Sequence, residues 1–490
     1  MHYISTRDNT LKRTAAQAIA QGLADDGGLF LPSQLPNFTP EHWQTFAQMT
    51  YAQRAANIMA LFLPEFSCEE LEILCAKAYS NFNDPAVAKV VTVGDDCLLE
   101  LWHGPTHAFK DMALQALPHL LTASLRKTGE TRTACILVAT SGDTGIAAMN
   151  GFRDVDGTKA MVFYPQDGVS AVQQLQMTTQ EGENLGVCAV KGNFDDAQSG
   201  IKTIFADKEL QAQLSAQNCF FSSANSINWG RVLPQIVYYI SAYVDMVEQD
   251  KLKIGETFNI CVPTGNFGNI LAAYYAKQLG APIGKLLCAS NQNDVLTDFI
   301  NSGTYDKRRD FYTTVSPSMD ILISSNLERA LYALSNNDSK AVKNWMAQLK
   351  TNGHYTVNDD VKAKLQEQFY AAACDEATTK ATIADIWARY QYLLDPHTAV
   401  GYNVAQGYKA EAGDNAPMLI VSTASPFKFA GAVLSALGEG TDGNHEQALA
   451  ALTGWQVPES IAKLADKKIR FTECVAVNEM RGVVERFAAM

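Results

Sequence analysis

Lys110 is the first candidate for chemistry. In ELWHGPTHAFKDMALQALPHLL (100–121) a Gly104–Pro105 turn gives way to a helical pattern, and Lys110 sits at that junction beside Phe109 and Asp111. A cation near a helix start is disfavoured by the helix dipole, and a desolvated lysine loses its proton more readily. That is how a lysine becomes a nucleophilic amine; an exposed surface lysine is the plain alternative.

Four further segments share one design, an apolar run ending in small polar residues before a helix. In ILVATSGDTGIAAMNGF (136–152), Thr140, Ser141, Asp143 and Thr144 supply hydroxyls and open backbone N–H groups, which suit an anion cradle or simple N-capping. In NICVPTGNFGNILAAYYAKQLG (259–280), Gly265 and Gly268 let the backbone approach a ligand, with Asn266, Phe267 and Asn269 beside them. This loop lacks both the GK[ST] of a phosphate-binding P-loop and the spacing of GxGxxG, and a tight turn is its alternative. SSANSINWGRVLPQ (222–235) gathers Asn225, Ser226 and Arg231; the arginine could fork onto a phosphate or carboxylate, or lie on a solvated helix face. VSTASPFKFAG (421–431) ends a strand in Ser422, Thr423 and Ser425, and also reads as a capping turn.

The elements that must position these loops follow from patterning. Three amphipathic stretches predict a mainly helical N-terminal unit over residues 1–92. From about residue 95, short apolar runs alternate with helical patterns, the rhythm of a parallel α/β sheet. Expected strands are 134–139, 160–164, 187–190, 258–263, 285–290 and 418–424. The polar, helical stretch 331–393 breaks that rhythm and reads as an insertion, and 438–447 reads as a loop. In this arrangement the candidate residues fall at the C-terminal ends of strands, where open α/β sheets bind ligands.

Composition narrows the partners. The 490 residues suggest roughly three domains at ~150 residues each. An apolar share of 47% excludes a disordered chain, and a charged share of 19% excludes a long coiled coil. A net charge of −13 makes nucleic acid and anionic membrane poor partners, while a locally positive pocket could still take a small anion. The ten cysteines form no CxxC pair, so no zinc site or disulfide framework is expected and buried free thiols are. The N-terminal MHYISTRDNTLKRTAAQ has no apolar signal core, no run approaches a membrane span, and the expected compartment is the cytoplasm.

Taken in order, YISTRDNT…GLADDGGLFLP, HGPTHAFKD, ATSGDTG, SANSINWGR, PTGNFGN and STASPFKF resemble the threonine synthase family, from residue 3 to about 430. HGPTxAFKD with the N-terminal STR…GGLFLP is specific to that family; SGDTG and the glycine loop alone mark its superfamily. One departure is His107, where an apolar residue is expected. The resemblance implies the fold-type II pyridoxal-phosphate architecture, similar to tryptophan synthase β chains. That is an α/β fold, with mostly parallel sheets flanked by helices in a large and a small domain, plus the helical N-terminal domain. The core would span 93–330 and 394–490, with the small domain inserted at about 112–230.

The resemblance further implies that Lys110 bonds pyridoxal 5'-phosphate (PLP) covalently, with Phe109 adjacent. Gly265, Asn266, Phe267, Gly268 and Asn269 would hold the cofactor phosphate, and Thr423 the ring nitrogen. The substrate would be O-phospho-L-homoserine, its carboxylate in the Thr140–Ser141–Asp143–Thr144 cradle and its phosphate on Arg231, Asn225 and Ser226. Water and this substrate would give L-threonine and phosphate, in a monomer or homodimer. His103 and His107 are expected to be satisfied structural groups, and Asp111 to orient. Competing readings are a related PLP lyase, such as a dehydratase or phospholyase, and a non-catalytic metabolite-binding homologue.

Overall fold

Residues 1–440 and 443–490 are described by the computed structural model, so part of the loop expected over 438–447 lies outside the described residues. The N-terminal unit adds to its helices a small antiparallel sheet of β1 (Tyr3–Ser5), β2 (Asp8–Arg13) and β3 (Phe30–Pro32), in the order β2-β1-β3. β1 and β3 are too short to show a period in sequence, and the six residues of β2, DNTLKR, are mostly polar. Helix α1 (Ala15–Gln21) follows, then α2 (Pro40–Ala47), α3 (Tyr51–Ala60) and α4 (Cys68–Tyr79). The stretch 42–63, which reads as one helix, divides at Thr50. Its hydroxyl accepts from the Gln53 N–H and the Gln53 side chain accepts from the Thr50 N–H, a reciprocal cap that starts α3 afresh.

Two sheets carry the rest. The larger contains β4 (Lys89–Val93), β5 (Asp96–Glu100), β10 (Phe258–Pro263), β11 (Ile283–Ser290), β14 (Phe369–Ala373) and β15 (Met418–Ser422), in the order β14-β11-β10-β15-β5-β4. All its pairs are parallel except β4 with β5. The smaller contains β6 (Thr133–Ala139), β7 (Thr158–Pro165), β8 (Leu185–Lys191), β9 (Cys219–Ser222) and β16 (Cys474–Ala476), wholly parallel, in the order β16-β8-β7-β6-β9. An antiparallel pair of short strands, β12 (Thr304–Asp306) and β13 (His354–Thr356), lies outside both. Buried β6, β10 and β15 read as continuous apolar runs because helices cover both faces.

Two assignments need correction. The stretch 331–393 is not purely helical: it delivers β14, the edge strand that pairs Leu286 with Phe369 and Ser290 with Ala373. Its sequence, FYAAA, has little β-branched character, and pairing with β11 rather than propensity makes it a strand. Nor does the chain from 394 to 490 stay with the larger sheet. β16 pairs Cys474 with Ala189, and Val483, Val484 and Phe487 of the last helix (Met480–Ala489) share a core with Phe163 and Val190 of the smaller sheet.

The helices around these sheets include α5 (Asp111–Leu114), α6 (Leu117–Thr128), α7 (Asp143–Phe152), α8 (Ala171–Thr178), α9 (Phe194–Ala206), α10 (Lys208–Ala216), α11 (Trp229–Glu248) and α12 (Gly268–Gln278). Helix α11 is apolar nearly all round and therefore buried, with Pro234 inside its first turns. Among the described residues no helix is long and apolar enough to cross a membrane.

Candidate active site

The C-terminal ends of β6, β10 and β15 open onto one cavity of about 1440 Å³. Its wall includes Phe109 and Lys110, Thr140, Ser141 and Thr144, Asn225, Ser226 and Arg231, Gly265 to Asn269, and Thr423. Every predicted site residue but one therefore faces the same space.

Lys110 caps α5, a single turn, and its loop is held from both sides. Thr106 donates from its N–H (2.8 Å) and its hydroxyl (2.7 Å) to the two oxygens of Asp111. Phe109 N–H donates to the Thr423 carbonyl (2.8 Å), and Ser425 N–H donates to the His107 carbonyl (3.0 Å). Burial pushes the Asp111 carboxyl up to about 6 against these Thr106 bonds, so Asp111 orients the loop from within the protein. His107 takes a left-handed φ of 60° there, and its Nε2 meets the Ser460 hydroxyl at 2.6 Å. His103 meets Glu100 at 2.8 Å. Neither histidine lines the cavity. At Gly104 a Cβ would stand 2.5 Å from the Asp111 Cβ. Gly104→Ala is thus expected to displace the loop, lower stability by ~1–3 kcal/mol and weaken cofactor loading, read by thermal melting and PLP titration.

The Lys110 Nζ stands 4.4 Å from the Phe109 ring centroid. Burial pulls its pKa down to about 8; Asp143 opposes that shift, and Arg231 and Lys428 add to it. Near neutrality the neutral amine is still the minority form, but far more populated than in an ordinary lysine, as a nucleophile requires.

The glycine loop ends β10 and starts α12. Phe267 supplies the turn with φ 62° and no side chain caps the helix, so its first N–H groups stay open. At Gly265 a Cβ would lie 2.5 Å from the Ser318 carbonyl, which excludes larger residues. Around this helix start several buried polar atoms find no partner among the described residues: Asn269 Nδ2, Asn326 Nδ2, Arg231 Nε and Asn225 Oδ1. The Tyr238 and Tyr239 hydroxyls both donate to Asn269 Oδ1 at 2.5 Å, which leaves its Nδ2 as the free end. Asn326 Nδ2 lies 3.4 Å from where a Gly268 Cβ would be. Buried donors are rarely left unpaired; an anionic ligand at this helix start would satisfy the three donors, whereas Asn225 Oδ1 is an acceptor and would need a donor.

Arg231 is 3% exposed rather than on a solvated face. Its Nη1 donates to the Ala224 carbonyl (2.5 Å), and burial draws its pKa down to about 10. In the 140–145 turn, Thr140 Oγ1 accepts from Gly142 N–H and Gly145 N–H, both at 2.9 Å, so its own proton remains free to donate. Asp143 is the exception among the expected residues. Its carboxylate points behind the turn, where Oδ1 meets Lys428 Nζ (2.8 Å) and accepts from Gln173 Nε2 (3.0 Å). Burial is the largest single influence and opposes its ionisation, but Lys428, Gln173 and His397 together outweigh it and hold it down to about 2. It is absent from the cavity wall, and an anion there would repel a substrate carboxylate.

Several wall residues escape sequence reasoning. His397 Nδ1 meets Asp395 at 2.8 Å and its Nε2 accepts from Ser318 N–H (3.1 Å), which fixes Ser318 at the cavity edge. Arg7 of the N-terminal unit bonds Glu328 through Nε (2.8 Å) and Nη2 (2.7 Å), and both residues line the wall. The DPHT cap at 395–398 is a sequence signal that could have found His397; Asn326, behind Gly268 and not on the wall, has no local signal.

A lysine on a one-turn helix, a glycine loop opening a helix N-terminus and two mainly parallel sheets define a class, the PLP-dependent enzymes of fold-type II. Residues 97–424 match the family described as pyridoxal-phosphate dependent enzyme. Residues 2–79 match the threonine synthase N terminus and residues 398–484 the threonine synthase C-terminal family. The chain belongs to the threonine synthase family. It is 36% identical to threonine synthase of Saccharomyces cerevisiae over 515 residues, covering 99% of this chain and 97% of that one. It is 41% identical over 434 residues to threonine synthase-like 1 of Homo sapiens, covering 86% of this chain but 58% of that longer protein. The chain thus spans under two thirds of the length of the threonine synthase-like 1 relatives. The crystal structure of PLP-bound threonine synthase from Brucella melitensis superposes with a TM-score of 0.88 at 36% identity and covers 100% of both chains; the yeast enzyme also gives 0.88, at 35%.

Proposed function

We propose that this chain converts O-phospho-L-homoserine and water to L-threonine and phosphate, using PLP. The observation that carries this reading is a set of partnerless buried donors near the α12 start: Asn269 Nδ2 and Arg231 Nε, whose residues line the cavity that holds Lys110, and Asn326 Nδ2 behind Gly268. These donors suit anionic groups, which is compatible with a phosphorylated cofactor together with a phosphorylated substrate.

Bound PLP supplies a ring that draws electron density from the substrate carbons. The chain supplies the rest. Lys110 bonds the cofactor and, once released, moves protons at Cα and Cβ, each transfer worth roughly 10²–10⁴-fold. The 265–269 loop and Asn269 Nδ2 would hold the cofactor phosphate at the α12 N-terminus, and the Thr423 hydroxyl would bond the ring nitrogen. Thr140, Ser141 and Thr144 would take the substrate carboxylate. Arg231, Asn225 and Ser226 would hold the departing phosphate and stabilise charge as the C–O bond breaks.

Supplying O-phospho-L-homoserine and measuring threonine and phosphate together tests this reading. A 2-oxo acid product would instead identify a dehydratase, and a protein that stays colourless with PLP would identify a binding homologue. Cofactor loading should also titrate. Because the neutral amine is the reactive form and Lys110 is lowered to about 8, the rate of covalent PLP attachment to the apo chain is expected to climb with pH and level off above about 8, followed by absorbance.

A further inference from the structure

Lys428 falls inside the STASPFKF segment, yet the proposed chemistry does not use it. It is 1% exposed, stands behind the cavity wall and is held by two bonds. Its Nζ donates to the Thr106 carbonyl at 2.8 Å and meets Asp143 Oδ1 at 2.8 Å. The first bond reaches the loop of the catalytic lysine, since Thr106 in turn grips Asp111, next to Lys110. The second reaches the start of α7, which follows the turn bearing Thr140, Ser141 and Thr144. The Lys428 carbonyl also accepts from the hydroxyl of Ser170, the cap of α8, and Gln173 of that helix bonds Asp143. Lys428 follows β15 of the larger sheet; Asp143 follows β6 of the smaller one. One ammonium therefore joins the ends of both sheets.

We propose that Lys428 is a positioning residue whose two bonds, to Thr106 and Asp143, fix the spacing between the Lys110 amine and the hydroxyl turn across the two sheets. This rests on the reading that Lys110 bonds the cofactor and the 140–144 turn takes substrate. Stability alone does not call for such a pair, because a buried ion pair can often be replaced by apolar side chains at little or no loss. The charges also act on the amine. Lys110 faces Asp143 from α7, Arg231 from α11 and Lys428. Asp111 on its own helix faces Lys428 and Asp143, and His397 faces Asp143. The two members of the pair thus push Lys110 in opposite directions.

The test compares Lys428→Met, Lys428→Arg and the isosteric Asp143→Asn with wild type. The pH midpoint for acetylation of Lys110 by acetic anhydride is read by peptide mass spectrometry on cofactor-stripped protein. The midpoint is expected to move down by about one pH unit in Asp143→Asn, which removes the anion that raises Lys110, whereas Lys428→Met also removes the cation that keeps Asp143 ionised and is read by kinetics. With O-phospho-L-homoserine, Lys428→Met should lower kcat/KM at least about tenfold through KM, and Lys428→Arg should recover part of the loss. An Asp143→Asn midpoint that does not fall, or an unchanged kcat/KM in Lys428→Met, would overturn the proposal. Should Lys428→Met fail to fold, Asp143→Asn still decides, because a midpoint that does not fall removes the coupling. A wild-type protein that releases no threonine would defeat the functional reading alone, since the acetylation midpoints need neither cofactor nor turnover.

Discussion

Lys110→Ala is expected to end threonine release, with kcat lower by about 10⁴-fold or more, and to remove the absorbance of covalently held cofactor. The size of the effect follows from two duties resting on one amine: attachment of PLP and proton movement at adjacent substrate carbons. No neighbour can replace it. The Lys428 amine lies closest in role, but it is buried behind the wall and committed to Thr106 and Asp143. The Lys110 side chain faces the cavity, so alanine leaves the surrounding core in place. Thermal melting without cofactor should therefore change little. Turnover and spectra measured on the same preparation check this, and activity retained near the wild-type level would take the lysine out of the mechanism.

Much of this site was legible in sequence because its parts are local. A strand that ends in small polar residues before a helix writes its function in consecutive positions. FNICVP became β10 at the residues expected, and the glycine loop and α12 followed. The hydroxyl turn after β6 and the segment after β15 were equally readable. What the sequence hid depends on distant pairing. β14 exists because β11 offers it an edge, and β16 because the C-terminal segment returns to β8. Asn326 is brought behind Gly268 by a loop remote in sequence, so nothing around it signals an anion site. Asp143 shows the opposite failure. Its residue type and place in the turn suggested a role toward substrate, but Lys428, far along the chain, draws the carboxylate behind the wall. Burial and partner were the missing facts, and only the folded chain holds them.

Arg231→Ala is expected to lower kcat/KM for O-phospho-L-homoserine by roughly 10²–10³-fold, while PLP affinity changes far less. The guanidinium is buried; Nη1 is spent on the Ala224 carbonyl and Nε has no partner among the described residues, so donor capacity remains for a ligand. A phosphate leaving from Cγ gains charge as its bond to carbon breaks. A fixed cation in a site that excludes water stabilises that charge more than it stabilises bound substrate. Loss should therefore appear in kcat as well as KM. Alanine also releases the Ala224 loop, so Arg231→Lys separates the two effects. Lysine keeps the charge but lacks the planar fork, and it should recover less than full activity. Steady-state kinetics beside PLP titration of each variant decide the point. If PLP affinity alone fell, Arg231 would belong to the cofactor phosphate, and the substrate phosphate would have to lie elsewhere along the wall.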